Sequence, residues 1–349
     1  MHLSDASITE RLNSLCKPPG SLGDLERLAF ALCRIQNRIT PQSAPRRVVV
    51  FAGDHGVNVH GVSAWPSEVT SAVVGFMATG RTASGVLAKT TGADYRVIDV
   101  GCLVPPRLED SRPVLGEVTF VRKPVRLGTA DLKTVAAMSE SEFDAAWEVG
   151  VMEAALAAED DIQIVAVGEM GIGNTTSAAC LVTLLTGQSV ETSVGRGAGI
   201  DDHGLETKRE VVRVATSRVA SNVADQNWKA IACEVAGFEI VAMAGFYAGA
   251  AQRKLTIILD GYVATAAALV AEKLAPGTSR SMIAAHQSAE TGHAKALESL
   301  GLQAFLNWNM RLGEATGAIL LFPMIDAAAA MMNEMATLDD LLKQTTESA

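Results

Sequence analysis

The feature that most restricts how this chain can fold is a recurring pair of signals. A short β-branched run closes on a glycine beside an acidic or polar residue, and an alanine-rich stretch of helical character follows. Arg47 to Ala52 precedes Gly53-Asp54-His55-Gly56, and Ile162 to Val167 precedes Gly168-Glu169-Met170-Gly171. Leu255 to Leu259 precedes Asp260-Gly261 and the helix-like segment Tyr262 to Leu274, while Tyr95 to Val100 and Ser281 to Ala285 are further strand candidates. This alternation predicts an α/β protein with a Rossmann-like open parallel sheet and flanking helices. Segments 1–37 and 319–349 carry helical character and no strand signal, which predicts a small helical domain built from both chain ends. The large α/β domain, 38–318, is then expected to hold the active site. Pro105-Pro106 and the stretch Arg112 to Gly128 read as an irregular excursion, a hairpin or a loop.

At 349 residues and 48% hydrophobic content, the chain can bury a large core without covalent staples. Its net charge of -10 and lack of a Lys/Arg stripe argue against a nucleic-acid surface and for a small-molecule partner. Five scattered cysteines without a CxxC pair speak against a disulfide framework or a zinc knuckle and fit a reducing compartment. The N-terminus has no basic region leading into an apolar stretch, and apolar runs such as Ala266 to Ala271 are too short to span a bilayer. A cytoplasmic protein without a membrane partner is expected.

In a doubly wound sheet the loops leaving the carboxyl ends of the strands converge on one crevice, which brings Asp54, Glu169, Asp260 and His286 toward a common site. Gly171-Ile172-Gly173-Asn174-Thr175-Thr176 links a strand to a helix. Its glycines permit close backbone approach and its first N–H groups can face a phosphate; otherwise it is a tightly capped turn without a ligand. It is no Walker loop, since no Gly-Lys-Ser/Thr follows. Gly195-Arg196-Gly197-Ala198-Gly199 can form a backbone nest for a carboxylate or phosphate, with Lys208 on the next helix, or it is a flexible turn. Glu314, between Gly313 and the apolar stretch Ala318 to Met324, is either a desolvated general base or a partner of a helix dipole. Trp65, Val73, Val74, Phe76 and Met77 recur at helical spacing, which suits core packing and can also wall an aromatic base. His286 and His293 bracket Ser288 and Glu290 without matching a metal motif, so no metal is expected.

Taken in order, these segments resemble the nicotinate-nucleotide:dimethylbenzimidazole phosphoribosyltransferase family over nearly the whole chain. The resemblance rests on Lys17-Pro18-Pro19-Gly20-Ser21-Leu22-Gly23, Ala52-Gly53-Asp54-His55-Gly56-Val57, Gly61-Val62-Ser63 with Pro66 and Glu68-Val69-Thr70, and Gly168 to Thr176. It continues through Gly195-Arg196-Gly197 with Gly199 to Asp202, Leu259-Asp260-Gly261, His286 with Ser288-Ala289-Glu290 and Gly292-His293, and Met310 to Glu314. It implies a homodimer that transfers the ribose phosphate of nicotinate mononucleotide to an aromatic base without a cofactor. Glu314 is implied as general base and Glu169 as a second carboxylate. Phosphate and nucleotide contacts are implied at Gly171, Gly173, Asn174, Thr175, Thr176, Gly195, Arg196, Gly197, Lys208, Asp260, Ser288 and Arg311, and a base pocket at Trp65, Val73, Met77 and Leu312. Ala315 stands where the family usually has glycine, and Trp65 and Val73 leave the acceptor base open. A non-catalytic nucleotide-binding homologue is the alternative. A dehydrogenase is disfavoured, because no GxGxxG follows the first strand.

Overall fold

The computed structural model of the protein describes residues 3–106 and 118–347. The strands are β1 (Arg46–Gly53), β2 (Asp94–Gly101), β3 (Val118–Arg122), β4 (Ile164–Met170), β5 (Thr256–Leu259) and β6 (Met282–Ala284). Among the described residues they form one six-stranded sheet in the order β3-β2-β1-β4-β5-β6, every neighbour parallel. This is the doubly wound Rossmann order, and its direction reverses between β1 and β4.

Burial on both faces explains why these runs are so apolar. Along β1, Val48, Val50 and Ala52 point into one layer while Val49 and Phe51 point into the other, the period-two pattern that a pleated strand imposes. The Val49 side is covered by the helices Glu140–Glu159, Asn174–Thr186, Phe238–Gln252 and Tyr262–Leu274. The opposite layer contains Ile8 and Leu12 from the helix Asp5–Ser14, Leu28 and Leu32 from Asp24–Gln36, and Ile319, Phe322 and Ile325 from Thr316–Glu334. The chain ends also meet directly, since the Cys16 N–H donates to the Ala336 carbonyl at 2.8 Å and Leu15 bridges Thr337. The terminal helices thus share one apolar layer with a face of the sheet. Helix Thr316–Glu334 is long and apolar enough to cross a membrane by length and composition, a property missed when apolar runs alone are read from sequence. Here it is a core helix.

The sequence reading of a hairpin or loop from Arg112 to Gly128 needs correction. Its part up to residue 117 lies outside the described residues, and Val118–Arg122 forms the edge strand β3. Among the described residues one neighbour pairs with that strand, and its residues are half-buried or exposed, so it lacks the continuous apolar run of the inner strands. Strand β4 also runs further than the sequence suggests, to Met170, so Glu169 sits at the end of a strand and not in a loop.

Helices Glu140–Glu159 and Phe238–Gln252 pack at backbone contact. A β-carbon at Gly150 would overlap the Ala242 carbonyl, and one at Gly245 would overlap the Trp147 carbonyl. Gly245→Ala is therefore expected to destabilise the fold by about 1–3 kcal/mol through overpacking, read as a lower urea midpoint with the m-value unchanged.

Candidate active site

A cavity of about 610 Å³ opens beyond the carboxyl ends of β4, β5 and β6, with the segment Val62 to Val73 that follows β1 on one wall. That is where an open α/β sheet offers its ligand crevice. Glu169, the loop Gly171 to Thr175, Arg196, Gly197, Ser288, Arg311, Leu312 and Glu314 all line it, with Trp65 and Val73 on one wall.

Glu314 reaches this place through an unusual turn. Gly313, Glu314 and Ala315 have φ of 85°, 58° and 63°, three successive left-handed residues before the helix Thr316–Glu334. Non-glycine residues adopt this conformation at a cost, which persists only where the surroundings enforce it. The enforcement is visible at Gly168 of β4, where any side chain would overlap the backbone of Glu314 and Ala315. The same geometry shows why glycine suits position 315 and what Ala315 tolerates there. The Glu314 side chain is buried, and its Oε2 accepts a hydrogen bond from the Ser84 hydroxyl at 3.1 Å. Burial raises its pKa, nearby Asp260 adds to the rise, and the Ser84 hydroxyl and N–H oppose it.

Glu169 lies beside this turn, since a side chain at Gly313 would overlap its Oε1. Burial pushes its pKa well above the usual carboxylate range, and the charges of Glu239, Asp260 and Glu314 push in the same direction. The Asn174 side-chain amide donates to its Oε2. Glu239 opens the helix Phe238–Gln252 and pairs with His55 at 2.7 Å, both side chains fully buried. The crevice therefore gathers carboxylates in an apolar setting, two of which favour holding a proton.

The anion-binding elements are more elaborate than a bare nest. Helix Asn174–Thr186 begins at Gly173, φ 98°, without a side-chain cap, which leaves its first turn for a ligand. At the second glycine turn the Gly197 N–H donates to Glu290 Oε1 at 2.9 Å, so a carboxylate of the protein itself occupies the nest expected for a substrate anion. Glu290 is buried and its Oε2 has no hydrogen-bond partner among the described residues. Lys208 is buried beneath both turns. Its Nζ donates to Thr175 Oγ1 at 2.8 Å and to the Gly195 carbonyl at 3.2 Å, and burial lowers its pKa to about 8 against the pull of Glu290. Arg311 donates to the Gly197 carbonyl at 2.9 Å, while Arg196 turns to the Ile200 carbonyl and Asp202. Ser288 is held by His293, whose Nδ1 accepts the Ser288 N–H and whose Nε2 meets Thr265 Oγ1, each at 2.8 Å. Burial depresses the His293 pKa to about 3, so the ring stays neutral.

Several expected site residues sit behind the wall. Thr176 and Lys208 are buried, Gly195 packs against Glu290, and Asp260 accepts the Ala318 N–H at 3.0 Å and faces His286 Nε2 at 3.5 Å. Asp54 is likewise buried, accepting the Leu103 N–H at 2.8 Å. Met77 does not reach the cavity; it is fully buried in the apolar layer of the terminal helices, whereas Val73, one turn earlier, does reach it. Reading the sequence for site residues missed Glu239, Ser84 and Tyr95, which lie within helices and a strand and carry no local glycine signal. His286, expected at the crevice from its place after a strand, does line the cavity, as does Glu290, which was visible only as part of a motif. Among the described residues no group of His, Cys, Asp or Glu is arranged to hold a metal ion.

Sheet order, crevice and buried carboxylates together define a nucleotide-handling enzyme of the Rossmann-like class. A family model described as Phosphoribosyltransferase matches residues 3–341. The nicotinate-nucleotide–dimethylbenzimidazole phosphoribosyltransferase of Chromobacterium violaceum is 41% identical over 334 residues, covering 93% of this chain and 92% of that protein. The enzyme of the same name from Salinispora tropica is 38% identical over 341 residues, covering 96% and 93%. A crystal structure of CobT from Thermus thermophilus superposes with a TM-score of 0.89 at 39% identity, covering 96% of this chain and 97% of that one. The chain belongs to the nicotinate-nucleotide–dimethylbenzimidazole phosphoribosyltransferase family.

The raised pKa of Glu169 has a consequence for stability. Its ionised form is disfavoured in the fold, so folding stability falls as pH rises above the ordinary carboxylate range. Glu169→Gln removes the charge and is expected to raise Tm at pH 8 by on the order of 2 °C. Thermal melts should show the gain shrinking toward pH 5, where the parent carboxyl is protonated in the folded state.

Proposed function

We propose that the protein transfers the 5-phosphoribosyl group of nicotinate mononucleotide to a ring nitrogen of an aromatic base such as 5,6-dimethylbenzimidazole, giving α-ribazole phosphate and nicotinate. The observation that carries this reading is the placement of Glu314 and Glu169, both buried with raised pKa, on one cavity with an uncapped helix start. The base nitrogen attacks the anomeric carbon, the glycosidic bond to the pyridinium breaks, and nicotinate leaves with the bonding electrons. Attack from the opposite face inverts the β-nucleotide to an α-nucleotide. The attacking base loses its other ring proton to Glu314, whose raised pKa matches the task. Stabilisation of the positive charge developing on the sugar is assigned to Glu169, which lies beside the Glu314 turn. The phosphate is assigned to the start of helix Asn174–Thr186 with Ser288, braced from beneath by Lys208.

Trp65 and Leu312, both more than half exposed at the cavity wall, are assigned to the acceptor base, with Val73 behind them. The working form is proposed to be a cytoplasmic homodimer, a reading supported by the family resemblance and by the exposed apolar side chains Trp65, Leu312 and Trp308. Sedimentation of the purified chain tests the dimer.

Glu314→Gln is expected to lower turnover by roughly a hundredfold or more while the circular dichroism spectrum and nicotinate mononucleotide affinity stay unchanged. The assay follows nicotinate release in the presence of 5,6-dimethylbenzimidazole. Unchanged turnover would remove Glu314 from the chemistry, and no release by the parent protein would favour a non-catalytic nucleotide binder.

A further inference from the structure

We infer that Ser84 and Tyr95 form a buried hydroxyl relay that positions Glu314 and engages one of its oxygens. The inference rests on the reading of Glu314 as general base. Ser84 is the second residue of the helix Ala83–Thr90, and Tyr95 is the second residue of β2; both are almost completely buried. The Tyr95 hydroxyl lies 2.7 Å from Ser84 Oγ, Thr82 Oγ1 lies 3.1 Å from the same atom, and Ser84 Oγ lies 3.1 Å from Glu314 Oε2.

Proton counting sets the direction of this chain. An ionised carboxylate only accepts, so the single Ser84 proton goes to Glu314. Ser84 Oγ must then accept from Tyr95, whose hydroxyl stays protonated because burial raises its pKa. The chain ends on Oε2. Two acidic groups near Glu314 work against its ionisation, Glu169 from β4 and Asp260 after β5; His286 lies 3.5 Å from Asp260. Arg311, on the same loop as Glu314, is committed to the Gly197 carbonyl. Within this acidic surround Ser84 donates to Glu314 from the neighbouring helix, through its hydroxyl and its backbone N–H. A hydrogen bond to the charged form favours that form, so its removal raises the pKa of the base.

The test is the pH profile of kcat/KM for nicotinate mononucleotide with 5,6-dimethylbenzimidazole, measured on Ser84→Ala, Ser84→Thr, Tyr95→Phe and Glu314→Gln with melting curves for each. Ser84→Ala is expected to move the acidic limb upward by about one pH unit. Tyr95→Phe should move it in the same direction by less, and Ser84→Thr should restore the parent profile. A folded Ser84→Ala protein with an unmoved acidic limb overturns the relay. Should Ser84→Ala fail to fold, Tyr95→Phe decides alone, because loss of one phenolic hydroxyl without a limb shift is equally fatal to it. Failure of the underlying reading is distinguishable, since Glu314→Gln would then keep its turnover and its acidic limb.

Discussion

The seat of one strained turn on a single glycine organises this molecule. Gly313, Glu314 and Ala315 hold left-handed backbone angles because their chain rests directly on Gly168 of β4, where no side chain fits. That contact draws the helix Thr316–Glu334 against the sheet, drives Glu314 into an apolar setting and lays Gly313 beside the Glu169 carboxylate. Strain of this kind is stable only when packing on all sides leaves the backbone no alternative. Here the packing is supplied by the sheet beneath and the terminal helices around it.

The site is arranged in two shells with different work. Residues at the cavity surface include Glu169, Glu314, Ser288 and the first turn of the helix Asn174–Thr186. Behind them, Lys208 ties the two glycine turns together, His293 fixes the Ser288 backbone and the His55–Glu239 pair adds charge near Glu169. Groups that bind a charged ligand must be held in place before it arrives, because reorganisation during reaction is costly. Glu290 in the Gly197 nest serves that purpose too, since its Oε1 accepts the Gly197 N–H and holds the turn.

Much of this was legible in the sequence, for a physical reason. Inner strands such as β1 and β4 are buried on both faces and so read as unbroken β-branched runs, and the glycine and acidic residues after them mark the crevice. Edge strand β3 escaped, because a strand with one neighbour and half-exposed side chains needs no such run. Among site residues, those on glycine turns were visible, while Ser84, Tyr95 and Glu239 were not, since a polar residue inside a helix or strand carries no local sign of what it meets across the fold. Met77 shows the opposite failure. Helical spacing placed it with Val73, yet it descends into the apolar layer shared with the terminal helices.

That shared layer ties catalysis to the order in which the chain is made. Helices Asp5–Ser14 and Asp24–Gln36 are made before Thr316–Glu334, and part of the cover of their apolar surface comes from that later helix. The residue proposed to accept the proton stands at the head of that late helix. A chain made only as far as Gly313 thus already holds the strands and both glycine turns yet lacks the proposed base and the last helix of the shared apolar layer.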